Sequence, residues 1–67
     1  MANEERKAEI ATNYNKLRSY GVDPDTAKKM KFWGKKKLLR VFKQLEAVNF
    51  YNKKQEVKQV IEGALNG

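Results

Sequence analysis

Lys35-Lys36-Lys37-Leu38-Leu39-Arg40-Val41-Phe42-Lys43-Gln44-Leu45-Glu46-Ala47-Val48 is the stretch that decides the fold. At 100° per residue, Leu38, Val41, Phe42, Leu45 and Val48 share one broad face, with Leu39 widening it at the side. Lys36, Arg40 and Lys43 fall opposite Leu38. The segment therefore predicts a central helix over residues 35–48 that buries one side and turns a basic stripe outward.

Toward the amino terminus, Phe32-Trp33-Gly34 closes a preceding helix, and Gly34 reads either as a true break or as a bend in a longer one. Val22-Asp23-Pro24-Asp25-Thr26-Ala27 is the clearest helix start in the chain. Asp23 can cap, Pro24 suits the first helical position, and Val22 can pack on Ala27 as a hydrophobic staple. A short second helix carrying Ala27 and Met30 inward follows from it. Gly21 is the natural stop of a first helix that begins with Asn3 as N-cap, has Glu4 and Glu5 in its first turn, and ends near Ser19. Ile10, Tyr14 and Leu17 form its core stripe.

Toward the carboxyl terminus, Asn49-Phe50-Tyr51-Asn52 breaks the period, and Asn52 with Gln55 resembles a capping box. A fourth helix is expected over residues 53–65, with Val57, Ile61 and Ala64 inward and Val60 and Leu65 at their flanks. No segment shows sustained period-two alternation bounded by turns. The expected fold class is all-α: one compact domain over residues 1–67, with three or four helices around one small core.

A chain of 67 residues has a total stability of only about 3–10 kcal/mol, so every large apolar residue has a structural role to fill first. Phe32 is accordingly expected in the core in preference to stacking on a base, while Trp33 suits the core and an exposed anchor equally. Tyr20 and Tyr51 are expected at the rim, with their hydroxyls in water. There are no cysteines and no histidines, which removes disulfides, thiolate chemistry and the usual zinc ligands. Carboxylates are scattered, and Asp23 and Asp25 are explained by capping at a helix start. No Gly-rich phosphate loop is present. The expectation is a non-enzymatic protein needing no cofactor and no metal. The polar start of the chain, and the lack of any stretch of about 18 apolar residues, point to a soluble cytoplasmic protein that does not insert in membranes.

The net charge of +7 is concentrated rather than spread. Lys28, Lys29, Lys31, Lys35, Lys36, Lys37, Arg40 and Lys43 fall in sixteen residues without one carboxylate, and the rest of the chain holds seven basic and eight acidic residues. A nearly neutral scaffold carrying a basic block points to a negatively charged partner. Residues 35–37 add a second argument, because three cations in a helix's first turn oppose the positive end of its dipole. A docked phosphate would relieve that repulsion, provided that Gly34 truly breaks the chain.

The segment from Asn13 to Phe32, with Gly21 ending one helix and Asp23, Thr26, Ala27, Lys28 and Lys29 opening the next, resembles part of the helix-turn-helix of phage and bacterial repressors. That resemblance implies Asp25, Thr26, Lys28 and Lys29 as the groove-facing set. In size, in lysine content and in the stretch from Tyr14-Asn15-Lys16-Leu17-Arg18 to Trp33, the chain is also similar to small helical proteins that bacteriophages encode for regulation or host takeover. The leading expectation is therefore a nucleic-acid-binding regulator, with DNA favoured. Its phosphate contacts would come from residues 28–43, Thr26 would meet a base edge, and Trp33 would serve as a stacking or interface anchor. The alternative is a modulator of a host protein that engages an acidic patch through the same surface. A dimer is compatible with so small a footprint, although no heptad run specifies one. Far-UV circular dichroism should show a mainly helical chain that melts cooperatively, and a strand-dominated spectrum would refute this architecture.

Overall fold

The computed structural model describes residues 2–67 and the side chains of residues 4–67. It contains α1 (Ala2–Ser19), α2 (Pro24–Met30), α3 (Lys35–Phe50), a single 3-10 turn (Lys54–Glu56) and α4 (Val57–Asn66). The fold is all-α. No helix among the described residues is long and apolar enough to cross a membrane.

The reversal between α1 and α2 is built from two adjoining motifs. Gly21 adopts φ +97°, its N–H donates to the Arg18 carbonyl at 3.0 Å, and the Val22 N–H donates to the Leu17 carbonyl at 3.1 Å. This is the Schellman arrangement, in which a left-handed residue ends the helix and satisfies its last carbonyls. Asp23 then caps α2, its carboxylate accepting from the Thr26 N–H at 3.1 Å, with Pro24 in the first turn. Val22 and Ala27, the two ends of the expected staple, are both buried. With Leu17 and Met30 they form a part of the core almost completely shut off from water.

Direction follows from the contacts. The last residues of α2 and the loop beyond it return along α1, where Asn13 Nδ2 donates to the Lys31 carbonyl at 3.2 Å and Arg6 Nη2 to the Phe32 carbonyl at 2.8 Å. Helix α3 then runs parallel to α1: Lys35, Leu38 and Leu39 share a groove with Glu9, Thr12 and Asn13, and Tyr20 lies 6.1 Å from the Phe42 ring. Helix α4 returns antiparallel, starting beside Ser19, Tyr20 and Asn49 and ending beside Lys37, Arg40 and Gln44. Leu38, Val41, Phe42, Leu45 and Val48 are all buried, as their spacing requires.

Several expectations are corrected. Asn52 does not cap a fourth helix. It takes φ +57° at the end of α3, where its N–H donates to the Asn49 carbonyl at 3.1 Å and the Lys53 N–H to the Val48 carbonyl at 2.8 Å, a second Schellman turn. Helix α3 therefore extends to Phe50, and α4 begins at Val57 after the 3-10 turn. The short polar side chain of Asn makes it one of the few non-glycine residues suited to this conformation. Along α1, Ile10 and Tyr14 are only half-buried, and the position closed off with Leu17 is Asn13. Leu65 flanks the inner face beside Val57 and Ile61 but is exposed. The expected cap at Asn3 falls outside the described side chains, and the α1 backbone already includes Ala2.

Leu45→Ala, at a position with no exposed surface, should cost about 2–5 kcal/mol, a large share of the whole stability. Gly21→Ala meets no atom within 4 Å of the added Cβ, so its cost is purely that of a positive φ. About 1–2 kcal/mol is expected, lowering Tm by roughly 4–16 °C in a thermal melt.

Candidate nucleic-acid interface

The alternating helix directions bring the end of α2, the loop 31–34 and the start of α3 together at one end of the bundle. Lys28 and Lys29 occupy the last turn of α2, where cations are favoured by the helix dipole. Residues 35–37 occupy the first turn of α3, where they are opposed by it. Gly34 is a true break, with φ −63° and ψ 155°, and it supplies no side-chain hydrogen bond to the free N–H groups of that turn. Arg40 lies one turn further on and Lys43 nearly a turn beyond it. All eight block cations are exposed except Lys31, which is half-buried.

Among the described residues none of the eight is neutralised by an ion pair. Among the described residues the one ion pair joins Arg6 and Glu9 at 3.4 Å, so Glu9, which lines the groove beside Lys35, is already engaged. The block's partners inside the chain are aromatic instead. Lys37 Nζ stands 3.9 Å from the Trp33 ring centroid, and Lys31 Nζ stands 5.1 Å from Phe32 and 5.7 Å from Tyr14. Such contacts contribute about 0.5–1 kcal/mol each at exposed sites.

The outward side of α3 carries Lys36, Arg40 and Lys43 together. Lys37 and Arg40 border the groove toward α4, and Lys35 borders the groove toward α1. Thr26 is not part of this surface. Its N–H is held by Asp23, and it lines a groove of about 560 Å³ between α2 and α4, with Val57, Ile61 and Leu65. Helical phase separates it from Lys28, which points away from Ala27 and Met30. Trp33 is half-buried against the core, with Lys37 over its ring.

Two further residues, Phe32 and Lys16, border the basic surface. Phe32 was expected in the core and is 59% exposed, because the phase set by Ala27 and Met30 carries residue 32 to the opposite side. Extending that phase two residues past Met30 would have revealed it. Lys16 Nζ lies 4.6 Å from the Phe42 ring and lines the same groove as Lys35, a pairing that depends on α1 lying beside α3. Tyr20, expected at the rim, is half-buried there and donates its hydroxyl to the exposed Glu46 Oε1 at 2.9 Å. Burial and then that bond raise its pKa above the ordinary tyrosine value.

No group of three or more carboxylates among the described residues converges on a metal-sized site. The chain matches no protein-family model, no curated protein and no solved structure.

The Asp23 carboxyl is held below its ordinary pKa of 3.8, chiefly by the hydrogen bond to Thr26. A lowered folded pKa stabilises fully above the unfolded value and is lost as pH falls through the folded one. The contribution should thus begin to fade as pH falls below about 3.8 and be gone once pH is below the lower folded value. Asn also caps well but does not titrate, so Asp23→Asn should lose less Tm than the parent between about pH 6 and pH 3. Equal losses would show that this cap does not respond to pH.

Proposed function

We propose that the protein is a non-enzymatic, cytoplasmic, nucleic-acid-binding regulator, with DNA as the favoured partner, and that its contact surface is the basic end of the bundle. The observation that carries this reading is the meeting of eight block cations without ionic partners and an uncapped helix start bearing three of them. Lysines at residues 35–37 cost the isolated chain stability, roughly 0.3–1 kcal/mol each at low salt. A phosphate at that position would turn the cost into attraction and accept from the free N–H groups of the turn. Lys28, Lys29, Lys31, Lys36, Arg40 and Lys43 would extend the contact along a polyanion. The exposed Phe32 ring beside Lys31 would meet an unpaired base or the sugar edge. Recognition by charge gives affinity and fast encounter but little sequence discrimination.

The resemblance to small phage regulators fits the same reading. A second reading, a modulator of an acidic host protein, draws on the exposed aromatics: Phe32, Phe50 and Tyr51 are each more than half exposed, and aromatic anchors dominate protein interfaces.

Duplex DNA titrated at several salt concentrations separates the two. Phosphate contacts should give a linear log–log salt dependence with a slope of about −0.9 per phosphate, and Lys36→Gln with Arg40→Gln should reduce the slope by roughly two. Both side chains are exposed, so the double variant should stay within about 0.5 kcal/mol of the parent in stability per site. An unchanged slope removes this face of α3 from the contact. No measurable DNA or RNA binding at low salt favours the protein partner.

A further inference from the structure

The flank of α3 between its basic face and α1 carries more than charge. Leu39, Lys43, Glu46 and Phe50 recur at spacings of four, three and four, so they form one stripe within about 60° on the helix surface. All four are exposed, Leu39 at 51% and Phe50 at 79%. Phe50 is further braced by Tyr51, whose ring meets it edge-on at 5.0 Å. Lys43 and Glu46 are three residues apart on this face, yet they make no ion pair with one another. Glu46 accepts the Tyr20 hydroxyl through one oxygen and leaves the other open.

The stripe is its own complement when reversed. If a second copy of α3 is laid antiparallel about a two-fold axis between Gln44 and Leu45, Lys43 of each chain faces Glu46 of the other. Leu39 of each then faces Phe50 of the other. A two-fold contact requires this property, that residue i meets j while j meets i. We propose that the protein forms a symmetric dimer through an antiparallel pairing of this stripe, with a second copy of the chain as its occupant.

Charge supports the antiparallel direction. Each copy carries +7, and a parallel pairing would place the two basic helix starts side by side. In the antiparallel pairing the two Lys36 positions lie about 26 Å apart along the axis, from 1.5 Å per residue. That is roughly three screening lengths at physiological salt, so the repulsion between the two helix starts is small; the two Lys43 positions lie only about 4.5 Å apart along the axis, and there each is met by a Glu46. Four positions per chain make a small interface, well under about 1,200 Å², so the dimer is weak and concentration-dependent. The inference stands on the stripe alone and does not rest on nucleic-acid binding.

Sedimentation equilibrium of the full chain without nucleic acid, at about 0.15 M salt, tests it. The parent should shift from monomer to dimer with Kd between about 10 µM and 1 mM. Lys43→Glu places like charges opposite one another twice and should weaken self-association roughly tenfold or more. Glu46→Lys should do the same. Mixed together, these two variants, each repelled by its own copies, should associate, because both opposite-charge pairs are then restored. Glu46→Lys also removes the Tyr20 acceptor, so Phe50→Ser is a further check that leaves both the core and that bond untouched; it too should abolish the dimer without lowering Tm. A parent that stays monomeric to about 1 mM overturns the proposal. So does a dimer indifferent to Lys43→Glu and Phe50→Ser.

Discussion

Everything in this small fold depends on shutting Leu17 away from water. One face of a helix cannot do that alone, and the chain achieves it by turning back at once. The Schellman turn at Gly21 brings Val22 over Leu17, and the Asp23 cap starts α2 in the direction that lays Ala27 and Met30 on the same spot. Leu17, Ala27 and Met30 have no exposed surface as a result. Because the reversal is tight, the loop after α2 falls beside α1, where Arg6 and Asn13 hold its carbonyls. That fastening sets where α3 begins and hence where the basic block lies.

The electrostatic character of the molecule follows from this geometry. Three lysines at the start of α3 would be a local error in a protein selected only for stability. They are tolerated because α3 buries Leu38, Val41, Phe42, Leu45 and Val48, and burial of about 1.5–3 kcal/mol per large side chain outweighs a dipole penalty of about 1 kcal/mol or less per cation. Lys37 on Trp33 and Lys31 on Phe32 offset part of that cost. The remaining charge stays unpaired at one end, while Phe50 and Tyr51 stand exposed at the other end of the same helix. Charge and exposed aromatic surface are thus separated along α3.

Much of this was legible in the residues themselves. The apolar face of α3, the Asp23-Pro24 start and the Gly21 stop are local devices whose physics lies within a few neighbouring positions, and each expected partner is where spacing puts it. Asn52 and Phe32 depart from their local reading for different reasons. Asn52-Gln55 satisfies the pattern of a capping box, but Asn also suits a left-handed helix end, and the two differ only in which helix claims the residue. A short chain's need for large apolar residues points Phe32 inward, yet helical phase outweighs that demand.

By itself, the sequence determined the helices, most of their buried faces and the concentration of charge, because these depend on period, caps and composition within one segment. Tertiary structure alone decided which segments became neighbours. It placed α1 beside α3 and so brought Lys16 to Phe42 and Tyr20 to Glu46. It turned Thr26 toward α4 and away from the cations, and it made Gly34 a break rather than a bend. The physical reason is that neighbour relations come from how several apolar faces close on one another, and no single segment contains that information.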